Sequence, residues 1–213
     1  MKKLVLIAVT SLACVAAFAQ GRIGFVNDSL HLAYYNPDPA RGGAFAGQEV
    51  SSAKLPSGAD LMADLYVGTS SSSLSLMTST TFSTFGKWNS VNVSVPGVPG
   101  GTSVFVVAQI RDANHAAEAT WTPSFDSGQF SWYGASPEFT FILGTSTLLY
   151  PAMYNHAATQ GGAQSTWPDG QYNMDFLATG QRGSIMVSSV PEPTSFALAG
   201  LGAAAMLIFR RRK

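Results

Sequence analysis

Apolar and polar positions alternate most cleanly at Val91, Val93 and Val95, with Asn92 and Ser94 between them. A period of two marks a half-buried strand. Residues 104–110 read Val-Phe-Val-Val-Ala-Gln-Ile, nearly continuous and rich in β-branched side chains, which predicts a central strand covered on both faces. Shorter alternations predict strands at 22–27, where Ile23 and Phe25 share a face, at 139–143 around Phe139, Phe141 and Leu143, and at Ile185 and Val187. Residues 61–67 are apolar with Asp64 in the middle, a strand of alternating exposure, and residues 74–82 return as its hairpin partner. Residues 28–58 carry Pro, Gly and Ala punctuation without a period and read as a long loop. The run Pro96-Gly97-Val98-Pro99-Gly100-Gly101 predicts a turn that ends the valine strand. Residues 113–119 have room for one or two helical turns at most. Short strands separated by Gly, Pro and Ser turns predict an all-β fold, an antiparallel β-sandwich or jelly-roll-like domain.

Both ends of the chain break this pattern. Residues 1–19 have a basic start (Lys2, Lys3), an apolar stretch, and Ala17-Phe18-Ala19 before Gln20. That is the layout of a secretory signal peptide, cleaved after Ala19 to leave Gln20 as the mature N-terminus. Cys14 has Ser11 three positions before it and no preceding glycine, so it reads as part of the signal core rather than a lipid-attachment site. At the other end, Pro191 and Pro193 fix φ and remove two backbone donors, leaving Glu192 on a stiff, solvated handle. An uncharged apolar run follows at 196–209, then Arg210, Arg211, Arg212 and Lys213. At ~1.5 Å per residue such a run spans roughly 21 Å, short of the ~30 Å hydrocarbon core. The basic cluster decides for a transmembrane helix with its end in the cytoplasm, because cations collect on that side and long side chains snorkel across the mismatch.

Taken together, Pro191-Glu192-Pro193, the apolar run and the terminal cations resemble the PEP-CTERM sorting signal of exported bacterial proteins. The resemblance covers 190–213. It implies recognition by an exosortase-type sorting protease, a transient stay in the bacterial inner membrane as a membrane-anchored precursor, and delivery to the cell surface or extracellular space. The chain thus divides into a signal peptide (1–19), an ectodomain (20–189) and the sorting signal (190–213). Within the ectodomain, Ala59-Asp60-Leu61-Met62, Tyr66-Val67-Gly68, Val95-Pro96-Gly97-Val98 and Ala108-Gln109-Ile110-Arg111-Asp112 are similar to a set of uncharacterised PEP-CTERM ectodomains. That likeness implies a β-sandwich and brings no activity with it.

The two signals also distort the charge. The whole chain balances at +0, yet between 20 and 189 there are six cations and eleven acids. A mildly acidic domain argues against nucleic acid as a partner. The single cysteine falls in the signal, so a hydrophobic core must hold the domain together without disulfides.

Candidate chemistry is sparse. His31, His115 and His156 are scattered, whereas a zinc site needs three or four convergent ligands. Asp112, His115 and Glu118 come nearest in sequence, and a surface calcium on Asp112, Asp126 and backbone carbonyls stays open; no metal or other cofactor is expected. No Gly-x-Ser-x-Gly elbow occurs, and no pair among the acids is singled out for glycosidase work. No catalytic residue is therefore assigned, and the protein is expected not to be an enzyme. The aromatics are the remaining surface signal. Tyr34, Tyr35, Trp88, Trp121, Trp132, Tyr133, Tyr150, Tyr154, Trp167 and Tyr172 fall mostly in segments read as loops. They either plug the ends of the sandwich or stack on sugar rings, with Trp132, Tyr133 and Trp167 as candidate glycan contacts. The expected function is that of an exported structural or adhesive protein of the cell surface or biofilm matrix, associated with extracellular polysaccharide. The alternative is a non-catalytic carbohydrate-binding module.

Overall fold

The computed structural model describes residues 20–29, 31–117, 119–121, 131–145, 184–190, 201 and 206, and the backbone of 150–153. Residues 1–19, Pro191-Glu192-Pro193, the basic cluster Arg210 to Lys213, Trp167, His156, Glu118 and Asp126 lie outside the described residues.

The described chain is all-β, with one short helix. Ten strands follow in order: β1 (Gln20–Asn27), β2 (Ala33–Tyr35), β3 (Leu61–Ser70), β4 (Ser73–Thr81), β5 (Val91–Pro99), β6 (Ser103–Asp112), β7 (Trp132–Ala135), β8 (Phe139–Ile142), β9 (Tyr150–Met153) and β10 (Ile185–Ser189). Three form a sheet in the order β5-β1-β9, and seven form a second in the order β2-β10-β7-β6-β3-β4, with β8 also paired to β6. Most pairs are antiparallel; β1 with β9 and β10 with β2 are parallel.

Side-chain alternation explains where the core sits. On β6, Val104, Val106, Ala108 and Ile110 point to one face, and on β3 Leu61, Ala63, Leu65 and Val67 join them. Ile23 and Phe25 of β1 and Val93 and Val95 of β5, from the other sheet, complete the same cluster. The opposite face of β3 and β6 carries a smaller cluster of Tyr66, Leu74 and Val107, with Trp121 packed against it. β6 is therefore covered on both faces, as its unbroken apolar run predicts. Its other neighbour is divided: β8 pairs with residues 103–106 and β7 with 109–111. At the break Ser136 restores the ladder, its N–H donating to Ala108 O (2.8 Å) and its Oγ accepting from Ala108 N (3.0 Å).

Several expectations are corrected. The stretch 28–58 is not one loop. It holds β2, a helix α1 (Pro39–Gly42) and a 3-10 turn (Gly43–Phe45). β2 owes its existence to a parallel partner 152 residues away (Ala33 against Ile185), which no local pattern reveals. The valine strand does not stop at Pro96 but runs to Pro99. Gln20 pairs with Pro99 and the next residue, Gly21, with Val95, so residues 96–98 bulge out of the ladder. An edge strand tolerates a proline in such a bulge, because the missing N–H was not needed by a neighbour. Residues 113–117 form a turn rather than helix. Asp64 is not alternately exposed: it is fully buried against Arg111. Trp132 and Tyr133 lie on β7, not on a loop. Among the described residues, no helix is long and apolar enough to cross a membrane.

Candidate functional site

β10 is the last strand and the point where the chain leaves the domain. Val187, fully buried, faces the core, and Ser188 and Ser189 pair with Tyr133 and Trp132 of β7. On its other side β10 pairs with β2, and Asn36 just beyond β2 donates from Nδ2 to Ser188 Oγ at 2.9 Å. The exit is pinned to the end: Val190 N donates to Ser131 O at 2.9 Å, and its side chain is buried with Tyr133.

Beside this exit lies a cleft of about 410 Å³, lined by Gly42, Ala44, Phe45, Leu55, Pro56, Ser57 and Trp132. One wall is made by α1 and its 3-10 turn. Asp38 caps α1, its Oδ1 accepting from Ala40 N at 2.9 Å, with Pro39 in the first turn where its missing N–H costs nothing. The chain then turns at Gly43, whose φ of 59° suits a residue without a side chain. A Cβ there would sit 3.5 Å from the Trp132 ring, so the turn lies directly on the indole. Tyr35 sets both rings from the core side: its centroid is 5.6 Å from Phe45, and 5.6 Å from Trp132 in an edge-on arrangement. Its hydroxyl donates to Lys54 O at 2.5 Å, and burial pushes its pKa well above the usual tyrosine value. The aromatic wall is therefore held from behind by a locked side chain.

Comparison with known proteins assigns the segment that leaves this end of β10. Residues 189–213 match a protein-family model described as the PEP-CTERM protein-sorting motif. The chain carries a PEP-CTERM sorting motif. No curated protein and no solved structure matches the chain. The motif implies an exported protein that is processed from a membrane-anchored precursor by an exosortase. The matched segment opens on the last residue of β10, so no linker separates the folded sheet from the signal.

The remaining candidates resolve into structural roles or fall outside the described residues. Asp112 Oδ1 accepts from Asp60 N (3.2 Å) and Asn114 N (3.1 Å), and Oδ2 accepts from the Ser131 hydroxyl. That carboxylate ties the ends of three segments together. Asp64 receives Arg111 Nε at 2.6 Å across the outer face of β3 and β6. Its pKa is raised by burial, against the opposing pull of a Ser79 hydrogen bond and of Arg111. Arg111 Nη1 also donates to His115 O at 2.6 Å, which fastens the segment that crosses from β6 to the free edge of β4. His31 is buried, with Nδ1 2.6 Å from Asp28 Oδ1. Among the described residues no group of three or more His, Cys, Asp or Glu converges as a metal site.

Of the three aromatics named for glycan contact, Trp132 is half-buried at the cleft, Tyr133 is buried beside Val190 in a small cluster on the other face of β7, and Trp167 lies outside the described residues. Trp88 packs in the core on Phe25 at 5.0 Å. The cleft's other wall was missed by sequence reasoning, because Phe45, Leu55 and Pro56 sit in the stretch read as a loop. Asp38-Pro39, an N-cap followed by proline, was the available signal for α1.

Proposed function

We propose that this is an exported protein whose β-sandwich ectodomain, with no catalytic role, is delivered to the cell surface or extracellular matrix and acts there structurally or adhesively alongside polysaccharide. The observation that carries the reading is the sorting motif at 189–213 joined without a linker to the last core strand. The sandwich part rests on two sheets that feed one hydrophobic cluster. The non-catalytic part rests on the carboxylates: Asp64 and Asp112 are each committed to neighbours that the fold needs. A signal peptide at 1–19 supplies the matching export step. The test is the mass and location of the protein in cells that hold an exosortase-type protease. Glu192→Ala is expected to leave the tail attached and the protein in the membrane fraction, whereas the natural chain is shortened and recovered from surface or matrix. Identical mass and location of the two would overturn the sorting part. Failure of the shortened protein to co-sediment with matrix polysaccharide would overturn the adhesive part.

A second reading, a carbohydrate-binding module, draws on Trp132 at the cleft. Sugar recognition combines ring stacking with several polar contacts, and the lining offers Ser57 as its one hydroxyl.

A further inference from the structure

We propose that the cleft walled by Trp132 is a docking surface for the sorting protease itself, which seats an apolar side chain there while it holds the tail. The inference rests on the sorting reading and goes one step past it: the enzyme reads the folded domain as well as the motif.

Position is the first argument. The matched motif begins at Ser189, and Ser189 is the register partner of Trp132 on the neighbouring strand. Directly opposed residues on adjacent strands project to the same face, so the first residue of the motif and the tryptophan of the cleft share one face of the sheet. Ser189 Oγ also reaches Ala40 O at 3.4 Å, next to the α1 wall. From Val190, held by Ser131, to Pro193 there are three residues, which at ~3.3–3.6 Å each reach roughly 10 Å when fully extended. A protein that grips Glu192 must therefore stand against this part of the domain.

Chemistry is the second argument. Ala44, Phe45, Leu55, Pro56 and Trp132 make the lining apolar, with Ser57 at the rim. Such a surface satisfies an aliphatic or aromatic side chain, which asks for no hydrogen bonds, better than a hydroxyl-covered sugar. At about 410 Å³ the cleft lies within the usual range for small binding clefts. Rigidity is the third. The Asp38 cap, the Gly43 turn and the buried Tyr35 fix the two rings in advance, so little ordering is needed on contact.

The test uses the full precursor in cells with an exosortase-type protease, following tail removal by pulse-chase. Ser57 is exposed at the rim, so Ser57→Arg places a charge over the cleft without disturbing the core. Trp132→Ala removes the wall, and resistance of the ectodomain to added protease reports whether each variant is folded. Both variants, folded, are expected to lose the tail several-fold more slowly than the natural chain. The same tail, residues 189–213, on an unrelated exported domain is expected to be processed at the slow rate too. Processing of both variants at the natural rate would overturn the proposal. So would unchanged processing together with loss of polysaccharide binding in Ser57→Arg, which would assign the cleft to a glycan. Glu192→Ala separates the two levels: normal tail removal in that variant removes the sorting reading, whereas a block there with unaffected cleft variants removes the docking surface alone.

Discussion

Asp64 carries the most consequential single-residue chemistry in the ectodomain. It sits fully buried in the middle of β3, in register with Gln109, and its only nearby cation among the described residues is Arg111. Burial disfavours the ionised form more than Arg111 and Ser79 favour it, so the folded pKa is raised. An unfolded aspartate titrates near ~3.9. As pH climbs above that value the unfolded chain has lost its proton while the folded one retains it, so the folded state is penalised until it too ionises. Stability linked to Asp64 is thus fully present below the ordinary carboxylate pKa and is lost as pH rises through the raised one. Asp64→Asn cannot ionise and lacks this component. Thermal unfolding of the two proteins across pH ~3 to 7 is expected to show the natural chain losing ground to the variant as pH rises; a difference independent of pH would refute the raised pKa. The sequence shows an acid in an apolar strand and an Arg-Asp pair at a strand end. It does not show that they meet, because Asp64 and Arg111 are joined only by the pairing register of β3 with β6.

At the scale of elements, β10 is the strand on which the large sheet depends for its continuity. It lies between β2 and β7, so without it β2, α1 and the cleft wall have no ladder connecting them to the rest. Val187 is fully buried at its centre. Val187→Asp would place a charge there without a partner, a change that costs on the order of 4 kcal/mol or more against a typical total of about 5–15. The expected outcome is loss of protease-resistant ectodomain; a denaturation midpoint equal to the natural one would contradict the placement of β10. Legibility from sequence divides along the same line. β3 and β4 announce themselves as a hairpin, β5 and β8 through alternation, and β6 through its unbroken apolar run. β2, β7 and β9 are short and paired with partners distant in sequence, so their cause lies in tertiary contact and leaves no local signature. Trp132 was legible as an unusual aromatic, but the cleft around it depends on those same distant pairings.

For the whole molecule, the single cysteine sets a simple expectation. One thiol cannot close an intramolecular disulfide, so the exported domain relies on apolar burial shared by its two sheets. Unfolding temperature is expected to be the same with and without reductant. A lower temperature on reduction would reveal a bridge between two chains through Cys14, and would show that the signal segment stays attached.

The pinned exit at Val190 has a consequence for the anchored precursor as a whole. Five residues separate Val190 from the apolar run that starts at Phe196, a tether of roughly 20 Å when fully drawn out. A folded domain of this length is on the order of 40 Å across. In the proposed topology, with the run at 196–209 in the bilayer, the tether is about as long as the domain's own radius, so the anchored domain stays beside the membrane and cannot tumble end over end. That topology turns the exit end toward the bilayer and the opposite end outward, so partners in the extracellular space are expected to meet one pole first, and release of the tail to expose the other.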